Sequence, residues 1–308
     1  MELKAPFPYF GGKSRVAESV WEALGQPKHY LEPFFGSGAV LLSRPRYNPD
    51  SHVETVNDKD GHICNVWRSL KFSPDETAKW ADWPVNHADQ AARKKALIEN
   101  ESQLLKNLTA SDTFHDPKLA GYWIWLAATW IGAKMLQPQN GIGQIPHIGN
   151  AGRGVNGIES AGKIFQWFES LSKRLRRVRV VCGEWHQICG GNWHDLMGTA
   201  GFFFDPPYGA EDRTEVYNKD CFKVASQVRQ WCILNGSKES YRIVLAGYYD
   251  EHKELEHHGW QSMQWKAQGG FAHSGQTKET RGQVNCYREA LFFSPHCLIK
   301  KPQQEELW

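Results

Sequence analysis

A short apolar strand that runs straight into a glycine turn constrains this chain most. His29 to Phe34 reads as the strand, Gly36-Ser37-Gly38 as the turn, and Val53 to Asn57 as a second strand. Ile63, Val66, Trp67 and Leu70 mark the helix that follows, and Val16, Val20, Trp21 and Leu24 share one helical face before the turn. Strand, turn, helix and strand in that order predict a parallel sheet with right-handed crossovers. The pattern returns late in the chain, with strands at Val178 to Cys182, Phe202 to Phe204 and Arg242 to Ala246. Tyr287 to Phe293 reads as a final antiparallel strand. Between Lys71 and Lys163 the pattern lapses. Asp89 to Leu108 is a polar helix, Lys118 to Leu136 a Trp-rich one, and Gly141 to Gly162 a glycine-rich linker or functional loop. The expectation is one α/β domain, residues 1–70 and 164–308, interrupted by a mainly helical insertion over 71–163.

Composition narrows the class. The 308 residues are 41% hydrophobic and 23% charged, which allows a substantial core and excludes general disorder. Basic residues number 36 and acidic ones 34, so any basic surface is local. The seven cysteines include no CxxC pair and read as reduced thiols, neither a disulfide framework nor a zinc site. Met1 to Phe10 lacks the pattern of a targeting segment, and the apolar run Tyr122 to Leu136 is too short for a bilayer and contains Lys134. A cytoplasmic protein without membrane contact is expected.

Four motifs carry chemistry. Gly11-Gly12-Lys13-Ser14 ends like a phosphate-binding loop, but Phe7 stands where that loop needs glycine, and Pro6 and Pro8 break the preceding segment. A glycine-assisted helix start with Ser14 near the cap is the plainer reading. Glu32-Pro33-Phe34-Phe35-Gly36-Ser37-Gly38 lets a ligand approach the backbone at a strand end, as in doubly wound nucleotide-binding sheets. Asn57-Asp58 follows at the end of the second strand, where a carboxylate accepts hydrogen bonds from ribose hydroxyls. In Phe202-Phe203-Phe204-Asp205-Pro206-Pro207-Tyr208 a buried strand ends in an acid, two prolines and an aromatic. The prolines stiffen the backbone and remove two N–H donors. Asp205 and the Pro206 carbonyl then suit the two hydrogens of an exocyclic amine, and Tyr208 offers a ring for stacking.

Taken in order, Tyr9-Phe10-Gly11-Gly12-Lys13, the Glu32–Gly38 turn, Asn57-Asp58 and Asp205-Pro206-Pro207-Tyr208 resemble the motifs of the Dam-type DNA adenine-N6 methyltransferases. The resemblance covers most of the chain. It implies a Rossmann-like sheet with helices on both faces, S-adenosyl-L-methionine as cofactor, DNA as partner and a flipped target base. It also implies site residues. Tyr9 and Lys13 would line the methionine end of the cofactor, Phe35, Gly36, Ser37 and Gly38 the pocket floor, and Asp58 the ribose. Asp205 is shared by cofactor and catalytic sites, with Pro206 and Tyr208 on the base. The third cofactor motif departs from the family: Cys182-Gly183-Glu184-Trp185 has Glu for Asp and Trp for Phe. Glu184 is either the acceptor of the cofactor's adenine amine or the start of a surface helix.

The insertion corresponds to the family's target-recognition domain. Gln137 to Gly157 offers Gln139, Asn140, Gln144, His147, Asn150, Arg153 and Asn156 on a glycine-rich backbone, of which Asn140, Arg153 and Asn156 are the chosen DNA contacts. Lys278, in the second flexible basic loop Gly269 to Gly282, is another. The basic run Lys173 to Arg179 suits phosphates or a helix C-terminus, and the helix role ranks first. His257-His258 lacks further metal-ligand spacing, and no metal is expected. The tail Gln304-Glu305-Glu306-Leu307-Trp308 resembles peptides that bind bacterial sliding clamps, against the plainer reading of a disordered polar end. A bacterial or phage-encoded monomer is the expectation. Rival readings are a cytosine-N4, RNA or protein amine methyltransferase, or a catalytically silent DNA-binding relative.

Overall fold

The computed structural model describes residues 3–9, 11–130, 135–137, 145–146, 154–157, 160, 162–191, 196, 198–207, 220–265 and 288–299. Tyr208, Asn140, Arg153, Lys278, Phe10 and the tail from residue 300 lie outside them. The elements are α1 (Ala17–Leu24), β1 (His29–Glu32), α2 (Ala39–Leu42), β2 (Val53–Asp58), α3 (Gly61–Phe72), α4 (Pro74–Ala81), α5 (His87–Ala110) and α6 (Pro117–Thr129). There follow α7 (Ile164–Leu175), β3 (Val178–Cys182), β4 (Ala200–Phe204), α8 (Asp220–Asn235), β5 (Tyr241–Tyr248), α9 (Tyr249–His252), β6 (Gln261–Gln264) and β7 (Glu289–Phe293).

The seven strands run in the order β3-β2-β1-β4-β5-β7-β6. Without β7 this is the 3-2-1-4-5-6 order of a doubly wound Rossmann-type sheet. β2 pairs parallel with β3, and β4 with β5. β7 lies antiparallel between β5 and β6, as expected of the last strand. The chain divides into two compact units, one of residues 1–14 and 31–190, the other of 15–30 and 191–308. The helices of the 71–163 region thus fall within the same unit as β2 and β3.

In the first unit, Ile63, Cys64, Val66, Trp67 and Leu70 bury one side of α3. Asp60 caps that helix, its carboxylate accepting from His62 N–H at 2.7 Å. α6 packs on α3, α4 and α5. Pro117 opens α6 and Asp116 caps it through Leu119 N–H at 2.9 Å. The helix stops at Thr129, short of Leu136, because Trp130 turns extended with ψ 142°. In the second unit every residue of β4 is buried. The Phe202 and Phe204 rings stack at 6.1 Å, each 5.1 Å from Trp231. The cap of α1 is Val16, with no side-chain hydrogen bond, so Ser14 does not start the helix as expected. No described helix is long and apolar enough to cross a membrane.

A buried ion triad braces the first unit. Arg174 on α7 holds Glu54 of β2 with two nitrogens, at 2.6 and 2.9 Å, and Arg44 reaches the same carboxylate at 3.0 Å. Arg174 also donates to Leu41 O at 3.0 Å and stacks over Tyr47 at 3.8 Å. The bidentate fork satisfies both carboxylate oxygens, the geometry that makes burial of charge tolerable. Arg177 binds the Pro49 carbonyl at 2.7 Å, and Lys173 pairs with Glu169 at 2.8 Å. These three cations of the basic run therefore have structural partners. Glu54→Ala strands two buried guanidinium groups and is expected to cost about 3–5 kcal/mol. Urea unfolding measures it, and a loss below about 1 kcal/mol would show that the triad does not brace the unit.

Candidate functional site

The turn after β1 is fixed by hydrogen bonds from three directions. Phe35 N–H donates to Asn57 O at 2.9 Å, and Gly38 N–H to Phe35 O at 2.8 Å. Gly36 is gripped on both sides of its backbone. Its N–H donates to Asp58 Oδ2 at 2.8 Å, and its carbonyl accepts from the Trp67 indole N–H at 2.9 Å. Gly36 and Gly38 have φ of 46° and 60°, the left-handed region that favours glycine. A Cβ on Gly36 would stand 2.6 Å from the Tyr9 ring, and one on Gly38 2.6 Å from the Phe35 ring. The glycines are required by aromatic neighbours within the protein as well as by backbone shape.

Phe35 belongs to the turn itself, whereas Tyr9 comes from the segment before α1. Phe7 is buried, edge-on to Trp123 at 4.9 Å and 5.8 Å from Trp67. Tyr9 follows, 43% exposed, over the turn. The segment is pinned from elsewhere in the unit: Trp167 Nε1 donates to Lys4 O at 3.1 Å, and Val155 N–H to Pro6 O at 3.1 Å. Lys13 is 4% exposed and donates to Gly11 O at 2.8 Å. No strand precedes Gly11-Gly12-Lys13 among the described residues, so a phosphate loop of the strand–loop–helix kind is absent there.

Asp58 ends β2. Besides Gly36 it accepts from Asp60 N–H at 2.9 Å. Burial, reinforced by the Asp60 charge, raises its carboxyl to about 6. Its neighbour Asn57 is buried and ties three strand ends together, Nδ2 donating to Pro33 O and Gly183 O, each at 3.0 Å. Asn57 Oδ1 is buried without a hydrogen-bonding partner among the described residues. Gly183 N–H donates to Asp58 O at 3.1 Å, which brings the end of β3 alongside. Glu184 comes next, 46% exposed at its side chain and paired with Lys59 at 2.6 Å. Trp185 stacks on Phe34, ring centroids 6.3 Å apart. Cys64 Sγ donates to Asp58 O at 3.3 Å, and its thiol meets that of Cys182; their hydrogen bond raises Cys64 and lowers Cys182.

The first unit thus gathers Tyr9, Lys13, Phe35, Gly36, Ser37, Gly38, Asp58 and Glu184. Asp205 and Pro206 belong to the second unit, directly after the buried strand β4. Asn156 is half-buried in a 3-10 turn, Gly154–Asn156, with Nδ2 shielded and without a partner among the described residues. Sequence reasoning missed the roles of the Asn57 and Trp67 side chains; Asn57 lies within a motif and Trp67 on the apolar face of the following helix, but only folding shows what they hold. The donor set fits the implied cofactor. Asp58 and Glu184 offer acceptors for hydroxyls and an amine, Lys13 a cation for a carboxylate, and Asn57 Oδ1 is an orphaned acceptor beside them. Among the described residues no three His, Cys, Asp or Glu side chains gather as for a metal ion.

No protein-family model matches the chain. It is similar to the type II methyltransferase M.MjaIII of Methanocaldococcus jannaschii, 26% identical over 246 residues that cover 74% of this chain and 78% of that protein.

Two measurements probe the turn. Asp58 holds its proton to about pH 6 when folded, against about 3.9 in an unfolded chain. Between roughly pH 4 and 6 the folded state therefore binds a proton that the unfolded state has lost, and the Asp58 contribution to stability falls as pH rises through that window. Urea unfolding across pH 4–7 should show this fall in the wild type relative to Asp58→Asn; a pH-independent difference would refute the raised value. Trp67→Phe leaves the buried Gly36 carbonyl unpaired and should cost about 1–3 kcal/mol in the same assay. An unchanged midpoint would mean that the indole bond does not hold the turn.

Proposed function

We propose that the chain is an S-adenosylmethionine-dependent DNA methyltransferase acting on adenine N6. Its likeness to a type II methyltransferase supports the reaction class, and the Asp205-Pro206-Pro207-Tyr208 box supports an exocyclic amine as acceptor. The observation that carries the cofactor reading is the Gly36 turn, held by Asp58 at the strand ends of a 3-2-1-4-5-7-6 sheet.

Each residue has a role in this proposal. Asp58 and Glu184 accept from the cofactor's ribose and adenine, Lys13 and Tyr9 hold its methionine end, and Phe35, Gly36, Ser37 and Gly38 form the floor. The bound cofactor supplies an activated methyl group. An adenine amine is a poor nucleophile because its lone pair is delocalised into the ring. Asp205 and the Pro206 carbonyl accept its two hydrogens and turn that pair out of conjugation. Tyr208 stacks on the base and fixes its angle of approach, where orientation counts for much of the barrier. The amine is engaged by pairing in a duplex, so the base must leave the stack. Residues 71–163 choose the target, with Asn140, Arg153 and Asn156 as contacts and Lys278 on the backbone.

Asp205→Ala should slow single-turnover methylation of adenine-containing DNA by about 10²-fold or more, the scale of preorganised electrostatic groups. Cofactor affinity by calorimetry should fall by less than that factor, because Asp205 is one cofactor contact among several and the Gly36 turn, Asp58 and Glu184 stay in place. Near-normal transfer would make the box structural. Label appearing in RNA or protein, with none in DNA, would overturn the substrate assignment.

A further inference from the structure

Two cysteines meet at the edge of the candidate site, where β2 and β3 end. Asp58 and Cys182 are register partners across these parallel strands. Cys64, in the first turn of α3, is buried, with Sγ 3.3 Å from Asp58 O and 3.4 Å from Val181 O. Its single S–H faces a third acceptor as well, the sulfur of Cys182. Arg68, one turn further along α3, reaches the same strand end and donates to Val180 O at 3.5 Å. All of these residues belong to the first unit.

The two thiols differ in character. The hydrogen bond to Cys182, together with burial, keeps the proton on Cys64. Cys182 is half-buried, and the hydrogen bond from Cys64 lowers it, with help from the Arg68 charge. Burial and the carboxylates of Asp58 and Asp60 oppose that shift without reversing it. Cys189 and Cys297 are pushed up by burial instead. A lowered, reachable thiol attacks an oxidant more readily than a buried one, and a second thiol in contact can resolve the product. The contact lies beside the cofactor turn. Asp58 O accepts from Cys64 Sγ and from Gly183 N–H at 3.1 Å, while the Asp58 carboxylate holds Gly36 N–H at 2.8 Å.

We infer that Cys64 and Cys182 form a reversible disulfide on exposure to a hydroperoxide, and that this bond weakens cofactor binding at the Gly36 turn. The second half rests on the cofactor reading above. The Cys182 thiolate attacks one peroxide oxygen, the O–O bond breaks, and hydroxide leaves as Cys182 becomes a sulfenic acid. The Cys64 sulfur then attacks the Cys182 sulfur. The S–S bond forms, the S–O bond breaks, and the Cys64 proton departs with that oxygen as water. In sum, two thiols lose two electrons and two protons, and hydrogen peroxide becomes two waters. The product lacks the S–H that bonds Asp58 O. Its covalent link draws the end of β3, and Glu184 with it, toward α3.

The test is a hydrogen peroxide titration of the full chain, with peptide mapping by mass spectrometry and calorimetry of S-adenosylmethionine on the same samples. A Cys64–Cys182 crosslink should appear and vanish again with dithiothreitol. Cofactor affinity should fall by about 10-fold, the scale of one or two hydrogen bonds, and return with the reductant. Cys182→Ser should form no such crosslink, and peroxide should leave its affinity at its own untreated value. Peroxide that leaves both thiols free, carries Cys182 to a sulfinic acid without a crosslink, or joins other cysteines would overturn the pair. The wild-type map decides this even if the variant does not fold. A Cys64–Cys182 crosslink with unchanged affinity would overturn its link to the cofactor. Untreated protein that binds no S-adenosylmethionine would overturn the cofactor reading, and the map would still decide the pair.

Discussion

The hold on the Gly36 peptide is the constraint around which the first unit is arranged. One carboxylate and one indole, reached from β2 and α3, fix the N–H and the carbonyl of the same residue. Everything nearby follows from keeping that peptide in place. Asp58 must sit at a strand end, half-buried, which raises its carboxyl to about 6. Trp67 must be wholly buried, which brings Phe35 and Phe7 around it. Asn57, next to Asp58, binds the ends of β1 and β3 to that of β2. The backbone shape open to a ligand is thus set by the protein's own hydrogen bonds, before any ligand arrives.

Much of the sheet could be read from residue order alone. β3 spans Val178–Cys182 as expected, and β1, β2, β4, β5 and β7 fall within two residues of the expected ends at most boundaries. Continuous apolar runs such as Phe202-Phe203-Phe204 announce buried strands because both faces are covered. β6 was not legible: Gln261-Ser262-Met263-Gln264 is a polar edge segment that has its place only through β7. α4 was missed too, since its short face, Thr77, Ala78 and Ala81, has no large apolar residue. In the candidate site, the placement of the turn glycines and Asp58 was legible because strand ends and glycines are local signals. The reason for glycine was not. It lies in the Tyr9 and Phe35 rings, whose positions depend on contacts made across the unit.

The helices of the 71–163 region show a different logic from the sheet. α5 carries Gln90, Arg93, Lys94 and Leu97 on its buried side, where a helix of this length would ordinarily present an apolar stripe. Indole and phenol rings cover Arg93 and Lys94 instead of aliphatic side chains. Ring faces are apolar enough to pack and polar enough to accept a cation, so they let charge be buried at modest cost. This also gives Trp83, Trp125 and Trp130 a use that composition alone could not supply.

The pinning of the N-terminal segment has a consequence for the order in which the protein comes into being. Lys4 waits for a partner 163 residues further along, and Pro6 for Val155. A ribosome adding about 5–20 residues per second needs roughly ten to thirty seconds to make that stretch. Until then Phe7 and Tyr9 have only part of their support, whereas Asp58 and Trp67 have long been available to the Gly36 turn. The site is therefore assembled in two acts, a turn first and its aromatic cover second. The long-range contacts that complete it belong to the slow end of folding, where closure of large loops must be paid in entropy.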